Sequence, residues 1–213
     1  CAALAVKGHE VHVVLFSDRD AAWRDGDVHV HELRLWQSPE RLRAVRKRWF
    51  EIFDEVVNLV KMRRYIKALN AIVQFSCVQT PSYAYPCLFL PRSIPLICRM
   101  SSIHRLWLDS YGHMASKQQR IRELFERWQV RSAHAVFAPS RFLAQCTRRE
   151  YGVEAAVIPS IPEFGLPEED ETFYRNNLSQ FSYLLYFGHL SRIKGIDVLN
   201  EALPQILQDY PEL

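Results

Sequence analysis

Short apolar runs alternate along the chain with longer segments whose apolar residues recur every three or four positions. The first run, residues 11–16, follows Gly8, a residue type suited to a helix end, and is typical of a buried parallel strand. Residues 28–33 alternate polar and apolar side chains, which predicts a second, half-exposed strand. Further apolar runs predict strands at 71–77, 95–99, 135–139 and 155–159.

Helical segments lie between these runs. Ser38, Pro39 and Glu40 have the properties of an N-cap, a first helical residue and an early acid, so we expect a helix to begin there. Its buried face is predicted to hold Leu42, Val45, Trp49, Ile52, Val56 and Leu59. More helices are predicted between the strands at 71–77 and 95–99, over 116–131, and from the N-cap Ser140 to the stop at Gly152. Strands alternating with helices predict an α/β fold with a doubly wound, Rossmann-like parallel sheet.

The chain changes character after residue 161. Residues 162–182 contain two prolines, five acids before Phe173, and no helical or strand period, which indicates a linker. Beyond them, 183–188 is predicted to be a strand, followed by an amphipathic helix with Ile196, Leu199, Leu203 and Ile206 on one face. We therefore predict a first domain at 1–161, a linker at 162–182 and the start of a second domain at 183–213.

Both ends of the sequence read as interrupted units. The first residues read as the last turn of a helix that follows an absent strand, and the last follow a helix directly. We expect a fragment of a longer protein, truncated at both ends, in which the strand at 183–188 has no sheet to join.

Composition narrows the class of protein. Of 213 residues, 48% are hydrophobic and 24% charged, which excludes disordered, collagen-like and coiled-coil chains. The net charge of +3 is too small to indicate a nucleic-acid partner. Neither a signal peptide nor an apolar run of about 20 residues is present, so we expect a soluble, cytoplasmic protein. The five cysteines include no C-x-x-C pair, and Cys77, Cys87 and Cys98 are predicted to be buried thiols in a reducing compartment.

The most basic region is the helix predicted over 40–67. Its cationic residues are Arg41, Arg43, Arg46, Lys47, Arg48, Lys61, Arg63, Arg64 and Lys67. A solvated helix face explains them, and so does peripheral contact with an anionic membrane, since each Lys or Arg near such a surface contributes about 1 kcal/mol. Trp49 is expected to fill the core rather than insert into lipid.

One segment carries the pattern of an anion site. Residues 183–203 read as a strand, a glycine turn, a basic loop and a helix N-terminus, which directs backbone N–H groups and the helix dipole at one spot. Gly188 and Gly195 leave the backbone open, and Arg192 and Lys194 add cationic hydrogen-bond donors. A diphosphate suits this loop, and an ordinary β-α turn with surface cations has the same pattern.

Four segments in the same order resemble glycosyltransferase family 4, whose members have the two-domain GT-B fold. They are LAVKGHEVHVVLFSD, RSAHAVFAPSRFLAQCTRREYG, AAVIPSIPEF and YFGHLSRIKGIDVLNEALPQILQDYP. The resemblance implies a retaining transfer of a sugar from a UDP- or GDP-linked donor to an acceptor hydroxyl, without a cofactor or metal. It places a carbohydrate or lipid-linked acceptor on the first domain and the donor on the second. It also implies that Lys194 offsets the charge developing on the leaving diphosphate.

Two positions depart from the pattern of the family. His189 stands where the family usually has arginine, so either Arg192 reaches the diphosphate or donor binding is weaker. Ser101 stands where the family often has a catalytic histidine, and His104 lies three residues on, as a replacement or as an ordinary loop residue.

Three further residues are assigned to the acceptor side. Arg99 and Ser102 contact acceptor or donor, or simply end the strand in a polar turn. Ser140 is first an N-cap and second a ligand contact. Acceptor specificity is expected in the loops around 17–27 and 81–92.

The two donor-binding glutamates of the family have no counterpart in these residues. We therefore expect that the 213 residues alone do not catalyse transfer, although the longer protein does so in polysaccharide or glycolipid synthesis at the inner membrane face. Three alternatives remain: a GT-B nucleotide-sugar epimerase, a non-catalytic GT-B module that binds nucleotide or a partner protein, and a membrane-tethered scaffold.

Overall fold

The computed structural model describes residues 1–110, 116–160 and 171–211, with the side chains at 42–50, 109, 110 and 193 excepted. The described chain divides into two compact units. The first comprises residues 1–104 and 115–158, and the second comprises 105–114 and 159–213.

Strands and helices alternate through the first unit. Its strands are β1 Val11–Ser17, β2 Ala21–Asp25, β3 Val28–Arg34, β4 Val78–Pro81, β5 Leu96–Arg99, β6 Ala135–Ala138 and β7 Ala156–Val157. Its helices are α1 Ala2–Val6, α2 Glu40–Val73, the first residue of α3 His104–Ser110, α4 Lys117–Ser132 and α5 Arg141–Tyr151. The second unit holds the rest of α3, α6 Thr172–Asn177, a short 3-10 helix Arg192–Lys194 and α7 Ile196–Asp209.

The strands form two sheets in the described residues. One is a four-stranded parallel sheet of order β4-β5-β6-β7, with α4 packed against β5 and α5 against β6 and β7. The other has the order β1-β3-β2, with β3 parallel to β1 and antiparallel to β2. The predicted α/β class, with a parallel sheet flanked by helices, is confirmed.

The core lies where α2 meets both sheets. Leu33 of β3, Met62 and Ile66 of α2, and Leu96 of β5 are buried in one cluster, joined by Cys87 and Ile94. Burying aliphatic side chains of this size contributes roughly 1.5–3 kcal/mol each. Leu42, Val45 and Trp49 of the predicted buried face lie outside the side chains that the structure describes.

The predicted helix ends at Ser140, Gly152 and Gly8 are confirmed, and α4 has a capping box that was not predicted. Ser116 opens α4 with a capping box, in which its hydroxyl accepts from the Gln119 amide while its own amide donates to the Gln119 side chain. Ser140 opens α5, and Gly152 ends it with φ 69°. Gly8, with φ 85°, separates α1 from β1. These signals operate within three or four residues, so a local pattern suffices to find them.

The entry to α2 differs from the prediction. Ser38 is not the N-cap, because Pro39 holds that position without a side-chain cap. Ser38 is buried, and its amide donates to both carboxylate oxygens of Asp54 at 3.1 and 3.0 Å. Its hydroxyl also donates to Asp54. The donors of Ser38 are therefore satisfied by a carboxylate of α2, 16 residues further along the chain, and Ser38 does not cap the first turn of the helix.

The strand predicted at 28–33 is confirmed as β3, but three other details predicted for residues 28–95 were wrong. Residues 71–77 are not a strand, because α2 continues to Val73 and its C-cap, Gln74, has the left-handed conformation. The strand begins only after this segment, as β4 at Val78. No helix lies between β4 and β5, where the chain turns with positive φ at Ala84 and Tyr85. The strand at 28–33 is not half-exposed, because an unpredicted β2 makes β3 the central, mostly buried strand of its sheet.

The second unit also departs from expectation. Residues 183–188 do not form a strand, because no described residue supplies the backbone partner that a strand requires. The segment predicted to have no helical period contains α6, while residues 161–170 lie outside the described chain. The helix predicted after Gly195 is α7, and it accommodates Pro204.

Two further properties bear on the predictions from composition. Cys87, Cys98 and Cys146 are buried, and Cys77 is exposed, contrary to prediction, because it lies in the loop before β4. Burial raises the pKa of the Cys98 thiol to about 12 and that of Cys87 to about 11, so both stay protonated. Among the described helices, none is both long enough and apolar enough to cross a lipid bilayer.

Candidate active site

The predicted acceptor-side and catalytic residues follow the carboxyl ends of neighbouring parallel strands. Arg99 ends β5, Ser101 and Ser102 lie two and three residues beyond it, and Ser140 lies two residues beyond β6. Because Arg99 is in register with Phe137 of β6, these positions share one edge of the sheet. Ligands of open parallel sheets bind outside this edge.

Hydrogen bonds to backbone carbonyls hold this edge of the sheet in place. The Ser82 amide donates to the Arg99 carbonyl at 2.9 Å, and the Ser82 hydroxyl donates to the Ser102 carbonyl at 3.1 Å. The Met100 amide donates to the Phe137 carbonyl at 2.8 Å. The loop after β5 is therefore tied to the ends of both neighbouring strands, while Arg99 and Ser101 are exposed.

His104 is partly buried at the start of α3. Its Nε2 atom is buried and has no hydrogen-bond partner among the described residues. Burial lowers the pKa of His104, and the nearby Arg122 lowers it further, against the opposing charges of Glu123 and Glu55. The imidazole is therefore neutral at neutral pH, with one nitrogen able to donate to or accept from a bound hydroxyl.

Glu126 of α4 fixes the backbone that carries His104. Its Oε2 atom accepts from the His104 amide at 3.0 Å and from the Tyr151 hydroxyl at 2.7 Å. Burial raises the pKa of Glu126, which favours the neutral carboxylic acid. One buried carboxyl group thus joins the loop after β5 to α4 and to the end of α5.

Ser140 serves as the N-cap that the sequence predicts. Its hydroxyl accepts from the Leu143 amide at 3.2 Å, and the residue is exposed at the sheet edge. A ligand contact at Ser140 stays a prediction.

A pocket of about 1160 Å³ lies at the carboxyl ends of β1 and β3. The ends of the two strands form one wall, and three valines of α2, Val56, Val57 and Val60, form the other. The remaining lining residues, among those that the structure describes, are Phe16, Ser17, Asp18, Asp20, Arg34, Leu35, Trp36, Gln37, Lys61 and Arg64. The pocket thus includes the start of the loop at 17–27 in which acceptor specificity was expected.

Polar contacts set the shape of this pocket. Lys61 donates to Asp20 Oδ1 and to the Arg34 carbonyl, both at 2.8 Å, and its hydrogen bond holds the pKa of Asp20 below the usual range. The Trp36 amide donates to Asn58 Oδ1 at 2.8 Å, and Asn58 Nδ2 donates back to the Trp36 carbonyl. The backbone at Trp36 is therefore fixed, while the residue, which lines the pocket, is 48% exposed.

The predicted diphosphate loop lies in the second unit. Gly188 has φ 140° and Gly195 φ 73°, backbone conformations that favour glycine. The 3-10 helix Arg192–Lys194 joins the loop to α7, whose N-cap is Gly195. The Tyr186 hydroxyl donates to the His189 carbonyl at 2.8 Å, and the His189 residue itself is exposed.

The two cations of this loop differ in their partners. Arg192 Nε donates to Asp197 Oδ2 at 3.1 Å, and this hydrogen bond lowers the pKa of Asp197. Lys194 is exposed on the same short turn. Arg192 is therefore partly engaged by a carboxylate at the start of α7, which leaves Lys194 as the more accessible of the two.

Sequence reasoning missed most of the pocket. Lys61 was assigned to a basic surface, and instead it holds Asp20 and Arg34 together from α2. The signal that could have located the pocket is the polar cluster at 17–20 directly after a buried strand, since such positions lie at the ligand-binding edge.

Comparison with known proteins identifies the family. No curated protein matches the chain significantly. A family model described as Glycosyltransferase Family 4 matches residues 1–163. Since this match covers more than half of the 213 residues, the chain belongs to glycosyltransferase family 4.

Proposed function

We propose that this chain forms the acceptor-binding part, and the beginning of the donor-binding part, of a retaining, metal-independent hexosyltransferase. Membership of the family supports a glycosyltransferase function with a sugar donor and an acceptor. The donor is a UDP- or GDP-sugar, and the acceptor is a carbohydrate or lipid-linked hydroxyl. The observation that carries the proposal is the pocket at the carboxyl ends of β1 and β3, where parallel α/β folds bind ligands.

The pocket suits a sugar acceptor. Its exposed indole ring at Trp36 offers an apolar face for the C–H side of a sugar ring, while Asp18 and Arg64 offer hydrogen-bonding groups for hydroxyls. The valines of α2 give the opposite wall an apolar surface. This mixture of one aromatic face, aliphatic surface and a few polar groups is typical of small-molecule sites.

The chemical step is a substitution at the anomeric carbon of the donor. The bond from that carbon to the diphosphate oxygen breaks, and a bond to the acceptor oxygen forms on the same face. The nucleoside diphosphate leaves with both electrons of the broken bond, and its released phosphate oxygen takes up the hydroxyl proton of the acceptor. Lys194, with Arg192 or His189 beside it, offsets the negative charge that develops on the leaving group.

His104 and Ser101 supply polar groups at the edge of the parallel sheet. The Nε2 atom of neutral His104 is buried and has no partner among the described residues, so a hydroxyl of the reacting sugar reaches it only when the side chain turns toward the ligand. Ser101 offers a second, exposed hydroxyl three residues earlier. Arg99 and Ser102 complete this polar edge.

Nucleotide binding tests the proposal directly. We expect the full-length protein to bind either UDP or GDP with micromolar affinity, and Lys194→Ala to weaken that binding at least tenfold, about 1.4 kcal/mol. Lys67→Ala, which removes an exposed lysine from α2, serves as the control and leaves the affinity unchanged. Isothermal titration calorimetry with both nucleotides gives the measurement.

Each other outcome has a definite meaning. Binding that is equal in the wild type and in Lys194→Ala would remove the loop from the donor site. No binding of either nucleotide would favour the non-catalytic module. We also propose that residues 1–213 alone do not transfer sugar, so a measurable transfer rate from them would contradict this part of the proposal.

A further inference from the structure

Three histidines and a glutamate share one face at the amino ends of β1 and β3. Glu10 and His12 are two residues apart at the start of β1, and His29 and His31 are two residues apart in β3. Because side chains alternate across a strand, each pair lies on a single face. The parallel register sets His12 beside His29, which joins the pairs into one cluster.

The three rings are stacked. The centroids of His12 and His29 lie 4.5 Å apart, and those of His12 and His31 lie 5.2 Å apart, with nearly parallel planes. The His12 side chain is only 5% exposed, while that of Glu10 is 62% exposed. The cluster is therefore enclosed around His12 and open to solvent through Glu10.

Hydrogen bonds link the cluster to α2. His12 Nε2 lies 3.0 Å from Glu10 Oε1, and His12 Nδ1 lies 2.9 Å from His31 Nε2. His31 Nδ1 lies 2.8 Å from the Tyr65 hydroxyl. One set of protons satisfies every contact: Tyr65 donates to His31, His31 donates to His12, and His12 donates to Glu10.

We propose that Glu10, His12 and His29 form a binding site for a divalent transition metal of the zinc class. Their ligand atoms all lie within 4.8 Å of one another. Two imidazole nitrogens and a carboxylate oxygen are ligands that zinc accepts, with water in the fourth position. Tetrahedral ligands at about 2.0–2.1 Å from zinc are about 3.4 Å apart, so modest side-chain rotations close the site.

His31 supports the site from behind. A histidine that binds metal through one nitrogen usually donates a hydrogen bond from the other, which fixes the orientation of its ring. When zinc replaces the proton on His12 Nε2, both imidazoles change tautomer and stay neutral. The proton that leaves to solvent is balanced by one taken up from solvent, so the Tyr65 hydroxyl keeps its own proton. His12 Nδ1 then donates to His31 Nε2, and His31 Nδ1 donates to the Tyr65 oxygen, so the same contacts persist with the opposite donors.

The positive charge of Arg24 in β2 disfavours binding of a metal ion at this site. One of its guanidinium nitrogens lies 3.1 Å from His29 Nε2 and donates to it. A cation bound by His29 therefore meets a fixed positive charge, and Arg24, which is exposed, turns toward solvent. Removing this charge is expected to strengthen metal binding, which a merely structural histidine stack would not show.

The site lies at the amino ends of β1 and β3, whereas the pocket lies at their carboxyl ends. Its role is accordingly to join the two strands rather than to take part in sugar transfer. A ligand that binds only the folded state stabilises it, by about 2.7 kcal/mol at a hundred times the dissociation constant.

The test uses untagged full-length protein titrated with Zn²⁺, and with Co²⁺ for its visible absorption. We expect one equivalent of metal with a micromolar or lower dissociation constant, and a tetrahedral Co²⁺ spectrum. Glu10→Gln and His29→Ala are each expected to weaken binding at least tenfold, and Arg24→Ala is expected to tighten it. His9→Ala is the matched control, since it removes an exposed histidine beside Glu10 and is expected to bind normally.

Thermal unfolding without metal separates loss of ligands from loss of the fold. Glu10→Gln keeps the shape of an exposed side chain, so its melting temperature without metal should equal that of the wild type. No binding by folded wild-type protein would overturn the site. Affinity that is unchanged in both Glu10→Gln and His29→Ala, or lost in His9→Ala, would overturn its ligand set.

Discussion

Glu126 shows how much one buried side chain can organise. This residue of α4 is almost completely buried, and it accepts hydrogen bonds from the His104 amide and the Tyr151 hydroxyl. Its second oxygen, Oε1, has no hydrogen-bond partner among the described residues, so the ionised form is poorly solvated. The residue links the backbone of the candidate active site to the framework behind it.

Replacement of Glu126 is expected to change the pH dependence of stability. The raised pKa means that the folded state holds the proton more tightly, so wild-type stability falls as pH rises from the ordinary carboxyl range through the raised value. Glu126→Gln has no proton to lose, and its free energy of unfolding relative to wild type should increase as pH rises from 4 to 8. Urea unfolding at several pH values measures this difference.

Glu201→Gln, which replaces an exposed carboxylate on α7, provides the control and should follow the wild-type pH profile. Parallel profiles for wild type and Glu126→Gln would contradict the prediction. Glu126→Ala, which also leaves the Tyr151 hydroxyl without an acceptor, is expected to cost at least about 2 kcal/mol at any pH.

At the scale of elements, α5 depends on its two ends. Ser140 caps the first turn and Gly152 closes the last with positive φ. Both ends follow from local chemistry, because the unpaired amides and carbonyls of a helix need partners within one turn. Ser140 also follows the carboxyl end of β6, where a ligand contact is predicted, so its two predicted roles can be separated by substitution.

Ser140→Ala is expected to destabilise the protein by about 1 kcal/mol, because the Leu143 amide loses its acceptor. Ser140→Asp keeps an acceptor oxygen and should recover most of that stability. Denaturant midpoints measure how much the cap contributes to stability. The transfer activity of the full-length protein measures whether Ser140 also contacts a ligand. Activity that recovers along with stability in Ser140→Asp would assign Ser140 to the cap alone, and equal stability of all three proteins would contradict the cap.

At the scale of the whole molecule, the charge is unevenly distributed. The net charge is only +3, yet cationic residues concentrate along α2. Lys61 donates hydrogen bonds to Asp20 and to a backbone carbonyl, while Arg63, Arg64 and Lys67 are exposed. The side chains of Arg43, Arg46, Lys47 and Arg48 lie outside those that the structure describes.

Membrane contact through this helix predicts salt-sensitive binding to anionic vesicles. We expect the protein to co-sediment with phosphatidylserine-containing vesicles and to be released as salt rises, since screening shortens the range of the attraction. Arg43→Glu with Arg46→Glu should weaken binding at least tenfold. Lys117→Glu with Arg120→Glu makes the same charge change on α4 and should have little effect. An equal loss of vesicle binding in both double variants would mean that binding depends on net charge alone and not on α2. No vesicle binding by the wild type would contradict the membrane contact, and the basic residues of α2 would then form a solvated helix face.

The amino-acid sequence by itself determined the features that depend on near neighbours. The cap at Ser140, the stop at Gly152 and the strands β1, β5 and β6 were all predicted, because each depends on residues within a few positions. The order of elements was enough to predict an α/β fold and, with four matching segments, the family.

The tertiary structure decided where distant residues meet. Ser38 has the local pattern of a cap, yet Asp54 binds it because packing brings that carboxylate to the helix entry. Residues 183–188 have the composition of a strand, yet a strand needs a backbone partner that composition cannot supply. The histidine cluster arises from the register of β1 on β3, and register depends on pairing that no single segment specifies. Local propensity was therefore readable from the chain, whereas long-range contact required the fold.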